Sequence, residues 1–199
     1  MAQPFVLASG SPTRARLLRD AGVTVEVQPA PLDEGALRAG LVAEGIRPRD
    51  MADALAEAKA LRIGAKRPEA LVLGADQIQE LDGEALGKPS DAVAARARLA
   101  AMAGRTHRLH TAAVLVEDAQ PTWRHLETVT LHMRSVSEKY LDDYLARNWP
   151  LIGGSAGAYL IEGEGARLFH RVDGDFFSVL GLPLLAVLSH LALKGAIET

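Results

Sequence analysis

The stretch Phe5-Val6-Leu7-Ala8-Ser9-Gly10-Ser11-Pro12-Thr13-Arg14 changes character twice within a few residues. It begins as an apolar run, continues as a small polar loop, and ends in a helical pattern whose apolar face includes Leu17 and Leu18. Ser11 is a preferred helix N-cap, and Pro12 is favoured at the first helical position. The sequence therefore predicts a strand, a tight loop and a helix in direct succession.

Strand and helix patterns alternate along the rest of the chain. Residues 70–74 read as a fully buried strand. Residues 109–116 and 127–133 read as an antiparallel pair joined by a polar stretch that contains Pro121, and residues 159–161 as a further strand. Helices are predicted near 37–44, 51–63, 91–102, 140–147 and 183–193, and Ser135 with Glu138 matches a capping box. This alternation predicts a mixed sheet with flanking helices, of the α/β or α+β class.

Composition excludes several classes of protein. The 199 residues are 48% hydrophobic and 24% charged, with no cysteine and a formal net charge of −3. A chain without cysteine has no disulfide, no thiolate nucleophile and no Cys-ligated metal. The slightly acidic balance disfavours a general nucleic-acid binder. No apolar run approaches the ~20 residues of a membrane span, and no signal-peptide pattern opens the chain. We therefore expect a cytoplasmic protein that binds neither nucleic acid nor membrane.

The loop between the first strand and helix is a candidate phosphate site. A helix N-terminus presents unpaired N–H groups and partial positive charge, which suit a phosphate. The hydroxyls of Ser9 and Ser11 and the guanidinium of Arg14 would add donors. The pattern is equally compatible with an ordinary capped helix that carries a surface arginine.

Asp76 follows the predicted strand 70–74 in the sequence Gly74-Ala75-Asp76-Gln77. In open α/β sheets, ligands bind beyond the carboxyl ends of strands. A carboxylate there can hold a divalent metal or accept a proton from water. The alternative is an aspartate that caps a turn, and the apolar run before it favours function.

Two lysines and an acidic pair are weaker candidates when each is taken alone. Lys59 shares an i+4 row with Met51, Leu55 and Ile63, so it lies beside an apolar stripe. Either its ammonium has an anionic partner there, or its apolar stem follows the stripe and its charge reaches solvent. Lys88 lies in the tight turn Gly87-Lys88-Pro89 and is otherwise a surface lysine. Glu34 follows Asp33, and acidic residues in a loop are usually solvated. If the pair lies beside a phosphate site, Glu34 would instead help to hold a metal. The six histidines have no ligand spacing and read as structural or surface residues.

Taken together, these segments resemble the Maf family of nucleotide pyrophosphatases. The match runs in order along most of the chain. Its segments are Leu7-Ala8-Ser9-Gly10-Ser11-Pro12 with Arg14, Asp33-Glu34, Ala58-Lys59-Ala60, Gly74-Ala75-Asp76, Gly87-Lys88-Pro89, Gly104-Arg105-Thr106-His107, Ala156-Gly157-Ala158-Tyr159, Gly174-Asp175 and Gly181-Leu182-Pro183.

The resemblance implies a single α/β domain over residues 1–199, with a mixed sheet, flanking helices and a deep nucleotide-binding cleft. It also implies a divalent cation (Mg²⁺, Mn²⁺ or Co²⁺) and hydrolysis of a nucleoside triphosphate to a monophosphate and pyrophosphate. Asp76 matches the proton acceptor and a metal ligand, and Glu34 matches an acidic, metal-binding residue of the site. The residues around the phosphates would be Ser9, Ser11, Arg14, Lys59 and Lys88.

Three positions bear on which base is recognised. Thr13, Gln77 and Glu162 stand where the family varies with substrate, and Gln77 with Glu162 resembles the 7-methyl-GTP branch. The alternatives are a dTTP/UTP-type pyrophosphatase, another metal-dependent phosphohydrolase that releases orthophosphate, and a regulatory binding protein linked to septum formation. The oligomeric state stays open, with a homodimer as one candidate.

Overall fold

The structure, a computed structural model, describes residues 3–198. Within these residues, seven strands form one sheet in the order β2-β1-β3-β5-β6-β7, and β4 pairs with β3. The strands are β1 (Phe5–Leu7), β2 (Glu26–Val27), β3 (Leu71–Leu81), β4 (Glu84–Leu86), β5 (Thr106–Glu117), β6 (Gln120–Met133) and β7 (Phe169–Asp173).

Seven α-helices flank this sheet within the described residues. They are α1 (Pro12–Asp20), α2 (Glu34–Ala43), α3 (Pro48–Gly64), α4 (Ala92–Met102), α5 (Glu138–Asn148), α6 (Phe176–Val179) and α7 (Leu184–Leu193). Short 3₁₀ helices occupy Leu151–Gly154 and Glu164–Leu168. No helix between residues 3 and 198 has the length and apolar character that a membrane span requires.

The sheet is mixed, as the sequence predicts. β1 is parallel to both β2 and β3, while β3, β5, β6 and β7 pair antiparallel in turn. Helices alternate with the parallel strands, so the fold is α/β. The predicted N-cap is also confirmed, because the Ser11 hydroxyl accepts the backbone N–H of Arg14 and Pro12 is the first residue of α1.

The two faces of β3 bury different helices because successive side chains of a strand point to opposite sides. Val72 and Ile78 pack in one apolar cluster with Met51, Leu55 and Ile63 of α3. Leu71 and Leu73 pack on the other face, in a cluster that contains Leu17, Leu18, Val187 and Leu191 of α1 and α7. The long central strand therefore serves two cores at once.

Three local predictions are wrong. Residues 159–161 form no strand; Tyr159 instead lies in a loop, where its ring packs edge-on against Phe169. Ser137 rather than Ser135 caps α5, since the Ser137 hydroxyl accepts the N–H of Tyr140. β5 and β6 are joined at Asp118-Ala119, so Pro121 belongs to β6 and not to a connecting loop.

α3 lies unusually close to β3 at Gly74. A Cβ added at Gly74 would stand 2.1 Å from the carbonyl oxygen of Ala56 and 2.8 Å from the backbone nitrogen of Ala60. Both distances are far below van der Waals contact, so only glycine allows the helix backbone to approach the strand here. This approach sets the depth at which Lys59, between those two alanines, meets the sheet.

We predict that Gly74→Ala lowers the free energy of unfolding by about 1–3 kcal/mol, the usual cost of overpacking a core. Gly40 of α2 provides a matched control, because no atom lies within 4 Å of a Cβ added there. Gly40→Ala should be neutral or stabilising by up to about 1 kcal/mol, since alanine favours helix. Chemical denaturation measures both, and a Gly74→Ala variant as stable as wild type would contradict the close approach.

Candidate active site

The candidate site lies where β1 ends and β3 continues. Leu7, the last residue of β1, pairs with Leu73, and β3 runs on to Leu81. Asp76 was predicted just beyond a strand end, but it lies inside β3, because residues 72–80 pair with β5 in unbroken register. Asp76 is nevertheless beyond the carboxyl end of the neighbouring β1, which is the kind of edge at which α/β sheets bind ligands.

Lys59 joins two carboxylates at this edge. Its Nζ lies 2.6 Å from Oδ1 of Asp76 and 3.0 Å from Oε2 of Glu34. The side chains of Lys59 and Asp76 are only 6% and 7% exposed, whereas that of Glu34 is 52% exposed. The predicted anionic partner of Lys59 is therefore present, and Glu34 forms the solvent side of this Lys59–Asp76–Glu34 cluster.

One oxygen of Asp76 is left without a partner. Oδ2 is buried and accepts no hydrogen bond from any described residue. A buried carboxylate oxygen without a donor is costly, and such an atom is a sign of a ligand or water site. Asp76 can therefore offer one oxygen to a proton or a cation while Lys59 holds the other.

The donor set fits a hard divalent cation that is only partly held by protein. Between residues 3 and 198, no group of three or more His, Cys, Asp or Glu side chains is arranged for metal binding. Mg²⁺ commonly takes one or two carboxylates together with substrate phosphates, and not a complete protein cage. Asp76 Oδ2 and the exposed Glu34 supply that number of carboxylates.

Arg14 ties three segments together at the same edge. Its Nη1 donates to the hydroxyl of Ser9 and to the carbonyl of Ala75, both at 2.9 Å, and its Nε donates to the carbonyl of Gly181 at 2.6 Å. Burial lowers the pKa of Arg14, and the nearby charges of Asp76 and Glu34 oppose that decrease. The predicted phosphate-binding arginine is thus also a structural crosslink, with Nη2 left free of hydrogen bonds to residues 3–198.

The two loop serines are used differently. The Ser11 hydroxyl caps α1, while the Ser11 N–H donates to the hydroxyl of Ser9 at 3.3 Å. Ser9 is buried and accepts from both Ser11 and Arg14. The structure therefore brings Ser9, Ser11 and Arg14 together as one hydrogen-bonded loop beside Asp76.

Lys88 and Thr13 stand apart from this network. Lys88 is exposed and makes no hydrogen bond or ion pair with the described residues, while Pro89 after it is buried. Thr13 is half-buried in the first turn of α1, and no hydrogen bond joins its side chain to the described chain. Their predicted roles in phosphate binding and specificity stay predictions.

Gln77 and Glu162 have separate sets of partners. The Gln77 amide nitrogen donates to the Thr111 hydroxyl at 2.9 Å and to the carbonyl of Ser178 at 2.8 Å, while its carbonyl oxygen accepts no hydrogen bond from residues 3–198. Glu162 forms an ion pair of 3.6 Å with Arg16 of α1, and its side chain is 31% exposed. Neither side chain forms a hydrogen bond or ion pair with Asp76, whose carboxylate bonds Lys59 instead.

Sequence reasoning missed the partners that position these residues. Arg16 holds Glu162, Ser178 holds Gln77, and the carbonyl of Gly181 holds Arg14. A signal existed only for Gly181, which belongs to one of the matching segments and adopts a φ of +105°. The other partners are ordinary residues far away in the sequence.

The comparisons with known proteins identify the family of the chain. The model of the family described as "Maf-like protein" matches residues 4–193. The chain belongs to the Maf family. A nucleoside triphosphate pyrophosphatase of Ruegeria sp. (strain TM1040) is 49% identical over 198 residues, with the whole of both chains covered.

Two further Maf relatives bear on the substrate. A nucleoside triphosphate pyrophosphatase of Roseobacter denitrificans (strain ATCC 33942 / OCh 114) is 50% identical over 195 residues, covering 98% of each chain. A 7-methyl-GTP pyrophosphatase of Mesorhizobium japonicum (strain LMG 29417 / CECT 9101 / MAFF 303099) is 46% identical over 198 residues, covering both chains fully. The recognition of the family from the sequence motifs is confirmed.

We predict that Arg14→Lys destabilises this Maf protein by about 2 kcal/mol, because an ammonium cannot reproduce the guanidinium fork to three acceptors and charged hydrogen bonds contribute ~1.5–3 kcal/mol. Arg19→Lys on the same helix is the matched control, since Arg19 is exposed. Thermal and urea unfolding measure the difference. Equal stability of the two variants would show that Arg14 is no crosslink.

Proposed function

We propose that this Maf protein hydrolyses a nucleoside triphosphate to the monophosphate and pyrophosphate at the Lys59–Asp76–Glu34 cluster. The observation that carries the proposal is the buried, unpartnered Oδ2 of Asp76 beside the buried ammonium of Lys59. The relatives named nucleoside triphosphate pyrophosphatase support the same reaction. The enzyme is therefore a hydrolase that acts on a phosphorus-containing anhydride.

The reaction breaks the anhydride bond between the α and β phosphates. Water attacks the α phosphorus, pyrophosphate leaves, and the proton of the attacking water needs an acceptor. Asp76 Oδ2 has no competing donor among the described residues, so it is available as that acceptor. The bond from Lys59 to Oδ1 holds the carboxylate in one orientation while the other oxygen reacts.

Positive groups around Asp76 would stabilise the phosphate charge. Lys59 is one of them, and Arg14, buried with its Nη2 free of hydrogen bonds to residues 3–198, is another. The first N–H groups of α1 and the hydroxyl of Ser9 add neutral donors at the same edge. Donors that are fixed before the substrate arrives cost no reorganisation at the moment of reaction, which makes them effective in catalysis.

Asp76 and Glu34 would hold a divalent cation, and Mg²⁺, Mn²⁺ and Co²⁺ are the candidates. When bound, such a cation supplies further neutralisation of phosphate charge and a more acidic water. Glu34 is half-exposed at the start of α2, so it can change its contacts with little effect on the core. When the substrate is absent, Lys59 offsets one of the two negative charges of Asp76 and Glu34.

For the base, we propose a modified guanine such as 7-methyl-GTP, in a house-cleaning role. The Mesorhizobium relative and the pair Gln77 and Glu162 support this choice over dTTP or UTP. A 7-methylated guanine carries positive charge on its ring, and the Glu162 carboxylate offers a counter-charge. Gln77 can contribute its free carbonyl oxygen as an acceptor. Thr13, in the first turn of α1, is the third proposed specificity residue, and the cytoplasm is the expected place of action.

We predict that the purified protein with Mg²⁺ releases pyrophosphate from a nucleoside triphosphate and that excess EDTA abolishes this release. Asp76→Asn should lower kcat by about 10²–10⁴-fold, the usual loss when a general base is removed. Asp20→Asn at the exposed end of α1 is the matched control and should retain full turnover. Phosphorus NMR identifies the products, and circular dichroism checks the fold. Orthophosphate as sole product, or full turnover by folded Asp76→Asn, would contradict the proposal.

We predict that kcat/KM for 7-methyl-GTP exceeds that for UTP and dTTP, and that Glu162→Gln lowers it about tenfold for 7-methyl-GTP alone, since ~1.4 kcal/mol corresponds to a factor of ten. Glu44→Gln at the exposed end of α2 is the control. A higher kcat/KM for a pyrimidine triphosphate would overturn the choice of base and leave the reaction standing.

A further inference from the structure

Arg98 of α4 connects two segments that the sequence separates widely. Its Nη1 group carries two N–H donors; one donates to the carbonyl of Gly87 and the other to the carbonyl of Ala156 at 2.8 Å. Gly87 directly precedes Lys88. Ala156 opens the loop 156–162 that ends at Glu162. The Arg98 guanidinium thus joins the turn that carries Lys88, a predicted phosphate-binding residue, to the loop that carries Glu162, a predicted specificity residue.

The Lys88 turn is held from a second side by Arg38 of α2. Arg38 Nη1 donates to the carbonyl of Leu86 at 3.2 Å. Arg38 lies one helical turn after Glu34, so both side chains are on the same face of α2. α2 therefore contacts Lys59 through Glu34 and the turn of Lys88 through Arg38, and it links the ion cluster to that turn.

Neither arginine is bound to a carboxylate of the described chain. The ion pairs within residues 3–198 include neither Arg38 nor Arg98, and both bond only to backbone carbonyls. Burial lowers the pKa of Arg98, and the charge of nearby Arg38 lowers it further. Two neighbouring cations without counter-ions repel each other, and the hydrogen bonds to backbone carbonyls are the described contacts that oppose this repulsion.

The loop 156–162 is anchored at three points. Arg98 holds Ala156, the hydroxyl of Tyr159 lies 2.8 Å from Nε2 of buried His107, and Glu162 pairs with Arg16. Ala158 adopts a φ of +56°, which a non-glycine residue rarely takes without surrounding constraints. These anchors fix where Glu162 emerges relative to α1.

We propose that Arg98 is a positioning residue that sets the spacing between Lys88 and Glu162, so that the phosphate chain and the base of one nucleotide are recognised together. This inference rests on the proposed function for its consequence in kinetics. Arginine suits the task because its planar fork places several donors at fixed positions, whereas methionine is an unbranched side chain with no N–H donor.

The kinetic test compares Arg98→Met with Arg96→Met. Arg96 lies on the same helix, but its partners are the exposed Glu138 and Asp142. We expect Arg98→Met to raise KM for the best nucleoside triphosphate about tenfold, change kcat less than about threefold, and reduce discrimination between 7-methyl-GTP and UTP. Arg96→Met should keep the wild-type values. An unchanged KM, or the same change in Arg96→Met, would overturn the proposal.

Amide hydrogen exchange supplies a readout that does not depend on turnover. Arg98→Met should exchange faster than wild type in residues 87–88 and also in residues 157–162, while Arg96→Met should not. Faster exchange in one segment only, or in neither, would refute the coupling. If Arg98→Met fails to fold, Arg98→Lys replaces it in both experiments. Arg98→Lys keeps the charge and most of the stem, so it should show the same changes more weakly. If wild type hydrolyses no nucleotide, the proposed function fails and exchange alone decides on Arg98.

Discussion

The buried ammonium of Lys59, held between Asp76 and Glu34, is the interaction on which the rest of the site depends. Removing two charges from water costs several kcal/mol per ion, and mutual attraction repays this only when the geometry is good. Here the geometry is set by backbone packing, because Gly74 lets α3 approach β3 to a distance that no larger residue permits. The charged pair is thus placed by a close backbone contact between helix and sheet. Such a pair is poor evidence for stability and better evidence for chemistry.

The second constraint is the set of hydrogen bonds that holds the loop after β1 against β3. Arg14 connects Ser9, Ala75 and Gly181, which come from three separate parts of the chain. Because Ala75 is the neighbour of Asp76, this crosslink fixes the candidate phosphate loop relative to the carboxylate. The two constraints act on opposite faces of β3, α3 on one and α1 on the other, and they meet where β1 ends.

What the sequence could predict was local. Ser11 and Pro12 mark the N-cap and the first residue of α1. The apolar stripe around Lys59 indicates that its charge needs a partner. Residues 159–161 are too few to show a strand or helix periodicity, so the predicted strand there is wrong. Tyr159 lies in a loop, where it contacts His107 and Phe169. The contacts of Arg98 join residues 11 and 58 positions apart, so no local pattern could reveal them. The predicted deep cleft and the roles of Lys88 and Thr13 stay predictions.

The most direct measurement is the stability and turnover of the double variant Lys59→Met with Asp76→Val beside its two single variants. Lys59→Met strands the buried carboxylate of Asp76 and should lose about 3–5 kcal/mol, the usual cost of breaking a buried pair. Asp76→Val should lose less, because Lys59 keeps Glu34 as a partner. If the pair is kept for chemistry, the double variant regains a free energy of unfolding within about 1 kcal/mol of wild type and hydrolyses no nucleotide. A double variant no more stable than the weaker single variant, or one that still releases pyrophosphate, would contradict the account.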